Sequence, residues 1–128
     1  MKRTIIIIAI SLILIALATY EMIVVKNINN QLLTSVYELY DITIENKDNI
    51  STILPKVDAI KYDWDKAEHP LSLMFNHKDL STITDTLALY RAYVFNNDYD
   101  NSIAQISLLK EYAEKNDTIM GFNFQNVL

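Results

Sequence analysis

The chain has no cysteine, only one glycine and only two prolines among its 128 residues. Without cysteine it can form no disulfide, no thiolate metal site and no thiol nucleophile, and it has no N-terminal cysteine to carry a lipid. So little glycine and proline argues against a turn-rich all-β fold and against the glycine-rich loops that hold phosphates. The composition therefore favours long helices joined by few turns.

Basic residues are also scarce, and the charge is uneven. All 16 acidic residues lie at or after Glu21, where 9 basic residues accompany them and the net charge is −7. Binding to nucleic acid depends on neutralising phosphates, so this acidity argues against a nucleic-acid partner. It disfavours anionic headgroups as well. A basic protein or a divalent cation fits the charge better, although acidity alone usually means only solubility.

A long apolar run occupies the N-terminus. Residues Thr4–Val25 contain Glu21 as their only charged residue, and as a helix they would extend about 33 Å, enough to cross the hydrocarbon core of a bilayer. A cleaved signal peptide ending at Ala18 is the main alternative, because Ala16 and Ala18 fit the small-x-small cleavage pattern. A buried helix of a soluble core is a third interpretation. We favour the uncleaved anchor, because apolar residues resume at Met22.

The charges beside this run predict its orientation. Lys2 and Arg3 precede it, and few basic residues follow it closely. Positive charge is retained on the cytoplasmic side. We therefore expect a single-pass protein of the cell membrane with a cytoplasmic N-terminus and an extracytoplasmic remainder, divided into an anchor at 1–26 and a helical domain at 27–128.

The remainder is predicted to be all-α. Apolar residues recur in steps of three and four along two clean stripes, which is the spacing of a helix packed on other helices: Ile50, Ile53, Val57, Ile60, Trp64, Ala67, Leu71 and Met74, then Leu80, Ile83, Leu87, Tyr90 and Val94. The segment 28–44 has a less regular stripe. Around 99–113 two stripes are predicted, so that this helix would be contacted on two sides: Tyr99, Ile103, Ile106, Leu109 and Ala113, and Ala104, Leu108 and Tyr112. The predicted architecture is a transmembrane helix followed by a small four-helix bundle of two helical hairpins.

Polar clusters at 46–48, 76–79 and 96–98 predict the turns, and each ends in an aspartate that could cap the next helix. The cluster at 96–101 could instead bind a cation. However, counting from Asp98, a calcium loop of the EF-hand type would need glycine at Ile103 and glutamate at Leu109, so we interpret it as a turn. Pro55 is expected to kink the second helix unless that helix begins near residue 51 or 52, and Pro70 is expected to bend it near residues 66–69.

Two kinds of site can be suggested from the residues. Asp65, His69 and His77 could form a three-ligand metal site, although their spacing fits no established zinc motif. Aromatic residues near the stripes could instead contact a protein partner, because tyrosine and tryptophan are favoured at interfaces; the candidates are Trp64, Tyr93, Phe122 and Phe124. The apolar tail at 120–128 either docks on the bundle or binds a partner.

Several segments together resemble a known family. They are Trp64 on a charged helix, LSLMFNHKDL at 71–80, the run of 98–111 and the ending FNFQNVL. The chain resembles the uncharacterised bacterial proteins of the domain of unknown function 4363 family over about 48–128. The resemblance implies a small single-span membrane protein with a helical domain, and it implies no known activity.

We therefore expect a non-catalytic interaction or accessory module of the cell envelope, without a cofactor and without an evident small-molecule substrate. Its partner would be an envelope protein or a second copy of the chain, because the stripes could pair within one chain or between two. The alternative hypothesis is a metal-binding sensor or metal-dependent enzyme that uses Asp65, His69 and His77.

Overall fold

The computed structural model describes the backbone of residues 1–45, 49–73 and 75–127, and the side chains of these ranges as far as residue 118. Within these ranges there are four α-helices: α1 at Lys2–Glu45, α2 at Ile50–Leu71, α3 at His77–Phe95 and α4 at Tyr99–Val127. The predicted all-α class and four-helix arrangement are confirmed. The first helix is continuous with the apolar N-terminal run, as expected.

Helix α1 has two halves with opposite environments. It contains 44 residues, which corresponds to about 66 Å of helix. The first buried side chain is Val25, and none of the most apolar 18-residue window is buried. By its length and composition this helix could cross a membrane. Because the apolar half is exposed, the interpretation as a soluble core helix is wrong for the described structure.

The bundle is held together by one stripe of buried residues on each helix. The stripes of α2 and α3 contain the predicted residues, with Ile50 half-buried and Met74 outside the described residues. The stripe of α1 is as regular as these two, contrary to our expectation, and consists of Val25, Asn29, Leu32, Val36, Leu39 and Thr43. On α4 the buried residues are Ser102, Ile106, Leu109, Ala113 and Asn116.

The prediction of two stripes on α4 was partly wrong. Ala104 and Leu108 are exposed, and Tyr112 is half-buried. The helix does contact two neighbours, α1 and α3, but it does so through residues on either side of a single stripe. Ser102 and Asn116 belong to that stripe, and their polarity conceals it in the sequence.

The helices form a closed ring of neighbours. In the described residues α1 packs on α2 and α4, and α3 packs on the same two helices, so α1 and α3 lie diagonally across the core. The short turns make successive helices antiparallel, which is the up-and-down arrangement of a four-helix bundle. The end of α2 and the start of α3 therefore lie at the same end of the bundle as Val25.

One hydrogen-bond relay crosses this core diagonal. The ring of Tyr90, fully buried on α3, reaches across to α1, where its hydroxyl is bonded to that of Thr43. Thr43 has a single hydroxyl proton and uses it on the carbonyl of Leu39, at 2.6 Å, so Tyr90 must be the donor. Burial raises the pKa of Tyr90 to about 12, while the bond to Thr43 acts in the opposite direction.

The helix starts differ in part from the expected caps. Asn76, rather than Asp79, caps α3: its side chain accepts from the backbone N–H of Lys78 at 2.8 Å, and Asp79 lies in the first turn. Asp98 caps α4 as predicted, with its carboxylate accepting from Asn101. This polar cluster is thus a turn and a cap, which agrees with our interpretation. The expected cap Asp48 lies outside the described residues.

Both prolines lie inside α2. The helix begins at Ile50, so Pro55 lies just beyond its first turn. Pro55 therefore cannot donate to the carbonyl of Ser51, which is on an exposed residue near the helix start. Pro70 is next to the last residue, Leu71, so almost no helix follows it.

The relay predicts the effect of one substitution. Tyr90→Phe removes the hydroxyl and leaves the ring, so we expect the free energy of unfolding to fall by about 1–2 kcal/mol. Urea denaturation of the full chain in detergent micelles measures this value. Tyr62→Phe is the matched control, because Tyr62 is 61% exposed and should lose almost nothing. Equal losses in the two variants would contradict the relay.

The raised pKa of Tyr90 predicts a sensitivity to alkali. The unfolded chain loses the phenol proton near pH 10, whereas the folded chain retains it to about pH 12, so this contribution is complete below pH 10 and is lost as the pH rises to 12. Two pH units correspond to about 3 kcal/mol. The stability difference between the wild type and Tyr90→Phe should therefore shrink or reverse between pH 10 and 12. A difference that stayed constant with pH would refute this assignment.

Candidate interaction groove between the first two helices

A solvent-open groove runs between α1 and α2. It consists of three adjoining hollows, and one of them, of about 270 Å³, lies above the buried ring of Trp64. We call this whole feature the α1–α2 groove. Its lining is contributed by Ile28, Asn30, Gln31, Leu32, Thr34, Ser35, Glu38 and Leu39 of α1 and by Lys56, Ala59, Ile60, Asp63, Trp64, Lys66 and Ala67 of α2.

Short side chains leave this space open. Ser35 and Asp63 border all three hollows, and Ala59 and Ala67 line one each. Large residues at these positions would fill the space between the two helices. The groove therefore follows directly from the small side chains where α1 faces α2.

The floor of the groove is apolar and fixed in place. Trp64 is only 2% exposed, and its indole N–H donates to the hydroxyl of Thr84 on α3 at 2.8 Å. Thr84 in turn donates to the carbonyl of Leu80 at 3.2 Å. Because the polar atom of the indole is satisfied on the α3 side, the buried ring leaves no unpaired polar group beneath the groove.

Charged residues mark the two ends. Lys56 and Glu38 form an ion pair across one end, with Nζ and Oε1 at 2.6 Å. Near the other end the ammonium group of Lys66 lies 4.0 Å from the ring centre of Tyr62. Both pairs are exposed, so they shape the rim more than they stabilise the fold.

Two polar contacts outside the groove join neighbouring helices. The ion pair with Arg91 lowers the pKa of Asp58, with 2.5 Å between Nε and Oδ1. The hydrogen bond to Glu114, at 2.7 Å, raises the pKa of Tyr37. These contacts join α2 to α3 and α1 to α4, which is a structural role.

The metal-site candidates do not come together. Asp65 forms an ion pair with Lys61 at 3.7 Å, while His69 and His77 are exposed on separate helices, α2 and α3. Within the described residues no group of three or more His, Cys, Asp or Glu side chains could share a metal ion. The described structure therefore does not support the hypothesis of a three-ligand site.

The candidate interaction residues have different positions. Trp64 forms the groove floor, and Tyr93 is half-buried on α3, away from the groove. The side chains of Phe122 and Phe124, and with them the predicted docking of the tail, lie outside the described residues. Ser35 and Asp63 were not predicted, because a gap between helices leaves no periodic signal in the sequence.

A comparison with known protein families gives a match that covers most of the chain. Residues 22–127 match the family described as Domain of unknown function (DUF4363), a range that begins earlier than the resemblance seen in the sequence. No curated protein and no solved structure matches the chain. The matched range begins near the end of the apolar run and includes the whole four-helix bundle, so the chain belongs to the DUF4363 family.

Proposed function

We propose that this protein is a non-catalytic interaction module, held at the outer face of the cell membrane by α1, that binds a partner protein in the α1–α2 groove. The observation that carries the proposal is the groove itself, with its apolar floor at Trp64 and a polar rim open to solvent. A rigid apolar pocket with a polar edge is where interface energy usually concentrates.

The shape of the groove favours a side chain over a small molecule. Ligand sites usually surround most of the ligand. The hollow above Trp64 is about 270 Å³ and is open to solvent, as are the two hollows beside it. It suits an apolar side chain that projects from the surface of a partner.

Charge indicates which partner fits. Of the four charged residues that line the groove, Lys56 and Glu38 pair with each other and Lys66 lies over the ring of Tyr62. Asp63 borders all three hollows, and the chain from Glu21 onward carries a net charge of −7. A partner segment with an apolar side chain next to lysine or arginine would complement both features. We therefore propose a basic surface of another envelope protein as the partner.

The anchor part of the proposal rests on α1. This helix continues without a break through Ala18 and into the bundle, as a retained anchor would. Lys2 and Arg3 before the apolar run support a cytoplasmic N-terminus. The bundle would then lie outside the cell, directly beside the membrane.

Cysteine labelling tests the anchor and its orientation, because the natural chain has no cysteine of its own. In intact cells we expect a membrane-impermeant maleimide to label Phe95→Cys, and to label Thr4→Cys only after the membrane is opened. The full-length mass should persist. Loss of residues 1–18 would establish a signal peptide, and the reverse labelling pattern would contradict the orientation.

Photocrosslinking tests the groove. A benzophenone on Ser35→Cys, in the groove wall, should give one discrete heavier adduct in native membranes, and the matched Ser107→Cys on the exposed face of α4 should not. Adding Asp63→Lys should reduce the adduct at least tenfold, whereas Asp85→Lys, with the same charge change on α3, should leave it. An adduct of twice the chain mass would replace the partner with a second copy. No adduct from Ser35→Cys would refute the groove as an interaction surface.

A further inference from the structure

The turn between α2 and α3 presents an exposed leucine between two buried residues. Leu71 is 1% exposed and Phe75 is 7% exposed, whereas Leu73 between them is 68% exposed. Outside α1, Leu73 is the most exposed large apolar side chain in the described structure. The core thus holds the chain on both sides and directs this leucine outward.

Backbone hydrogen bonds fix this presentation. The N–H of Ser72 donates to the carbonyl of Glu68, and the N–H of Phe75 donates to that of Leu71, both at 2.9 Å. Asn76 then caps α3. Hydrogen-bonded positions therefore hold the chain at Ser72, before Leu73, and at Phe75, after it.

The turn lies at the end of the bundle where α1 leaves it. Because α2 is antiparallel to α1, Ala67 is beside Ile28 in the α1–α2 groove, and Leu71 lies one turn further towards the level of Val25. Val25 is where α1 leaves the bundle. If α1 spans the membrane as proposed above, Leu73 lies at the end of the bundle that faces the bilayer.

The turn has one cation at its edge. Between Glu68 and Asp79, the ten residues HPLSLMFNHK, 69–78, contain Lys78 and no carboxylate. The turn at the opposite end of the bundle contains Asp98. An exposed apolar side chain with a lysine nearby is a usual composition of an interfacial membrane contact.

We propose that the α2–α3 turn is a second membrane contact, in which Leu73 enters the headgroup region of the bilayer that α1 crosses and Lys78 lies beside anionic phosphates. Together α1 and the turn would fix the bundle, and the rim of its groove, in one orientation on the membrane. This inference depends on the proposed anchor.

Fluorescence quenching in vesicles tests the contact. The full-length protein is labelled with an environment-sensitive bimane at a single introduced cysteine and reconstituted into vesicles of 70% phosphatidylcholine and 30% phosphatidylglycerol that contain lipids with a nitroxide near the headgroup. We expect strong quenching at Leu73→Cys. The matched control is Phe95→Cys, which replaces a residue of similar exposure, 63%, at the opposite end of the bundle and should not be quenched.

Two further variants test the insertion of α1 and the role of Lys78 separately. Leu14→Cys, inside the apolar run, should be quenched by a nitroxide deep in the acyl chains. Lys78→Gln, added to Leu73→Cys, should lower the ratio of docked to undocked turn about fivefold, and vesicles of phosphatidylcholine alone should lower it further.

The outcomes distinguish this inference from the proposed function. Quenching at position 14 with no more quenching at 73 than at 95 would overturn the membrane contact and retain the anchor. Absence of quenching at 14 would overturn the anchor and the contact with it. Quenching at 73 that is unchanged by Lys78→Gln and by neutral lipid would overturn the role of anionic headgroups.

Discussion

The continuity of α1 is the constraint on which the rest of the structure depends. One helix of 44 residues has an exposed apolar half before Val25 and a buried stripe after it. Both α2 and α4 pack against the second half, and α3 is tied to it through Tyr90. A helix without a hinge would transmit any orientation that it has in a membrane directly to the bundle.

Polar groups in the core give the bundle its register. Tyr90 donates a hydrogen bond to Thr43, and Trp64 donates one to Thr84. Each threonine hydroxyl in turn donates to the backbone carbonyl four residues earlier in its helix. In both relays an aromatic residue of one helix is paired with a threonine of another. Sliding a helix by one turn would leave buried donors without acceptors, which is costly in an apolar core.

A third polar pair lies nearer the apolar end of α1. The buried Asn29 donates to the carboxylate of Asp117 on α4 at 3.3 Å. A single buried asparagine in an apolar stripe is a known way to specify helix register at some cost in stability. It links α1 to α4 one turn after Val25, where the bundle begins.

The buried stripe of a helix could be predicted from the sequence where nearly every buried position is apolar. The stripes of α2 and α3 could be assigned because residues such as Val57 and Leu87 recur without a polar interruption. The stripes of α1 and α4 were incomplete because Asn29, Thr43 and Asn116 are buried through tertiary contacts that local periodicity cannot show. Asn76 was overlooked as the cap of α3 for a different reason, because asparagine and aspartate are equally good caps and the sequence offers both.

The candidate site could be predicted less well than the fold. Trp64 was correctly assigned to the packed stripe, but the groove above it results from the opposition of Ser35 on α1 and Asp63 on α2. Two short side chains distant in sequence give no pattern that could be recognised before the helices are paired. The metal hypothesis rested on the proximity of Asp65, His69 and His77 in sequence, and in the described structure these side chains do not form a group that could hold a metal ion.

The rigidity of α1 across the junction is the central claim, and a distance measurement tests it most directly. Nitroxide labels on Leu12→Cys and Asn30→Cys, in the full-length protein in lipid vesicles, are five turns apart and face the same side of the helix. An unbroken helix predicts a single narrow distance distribution, centred at about 27 Å, in double electron–electron resonance. A broad distribution, or one centred at a clearly shorter distance, would show a hinge between membrane and bundle and would contradict the account.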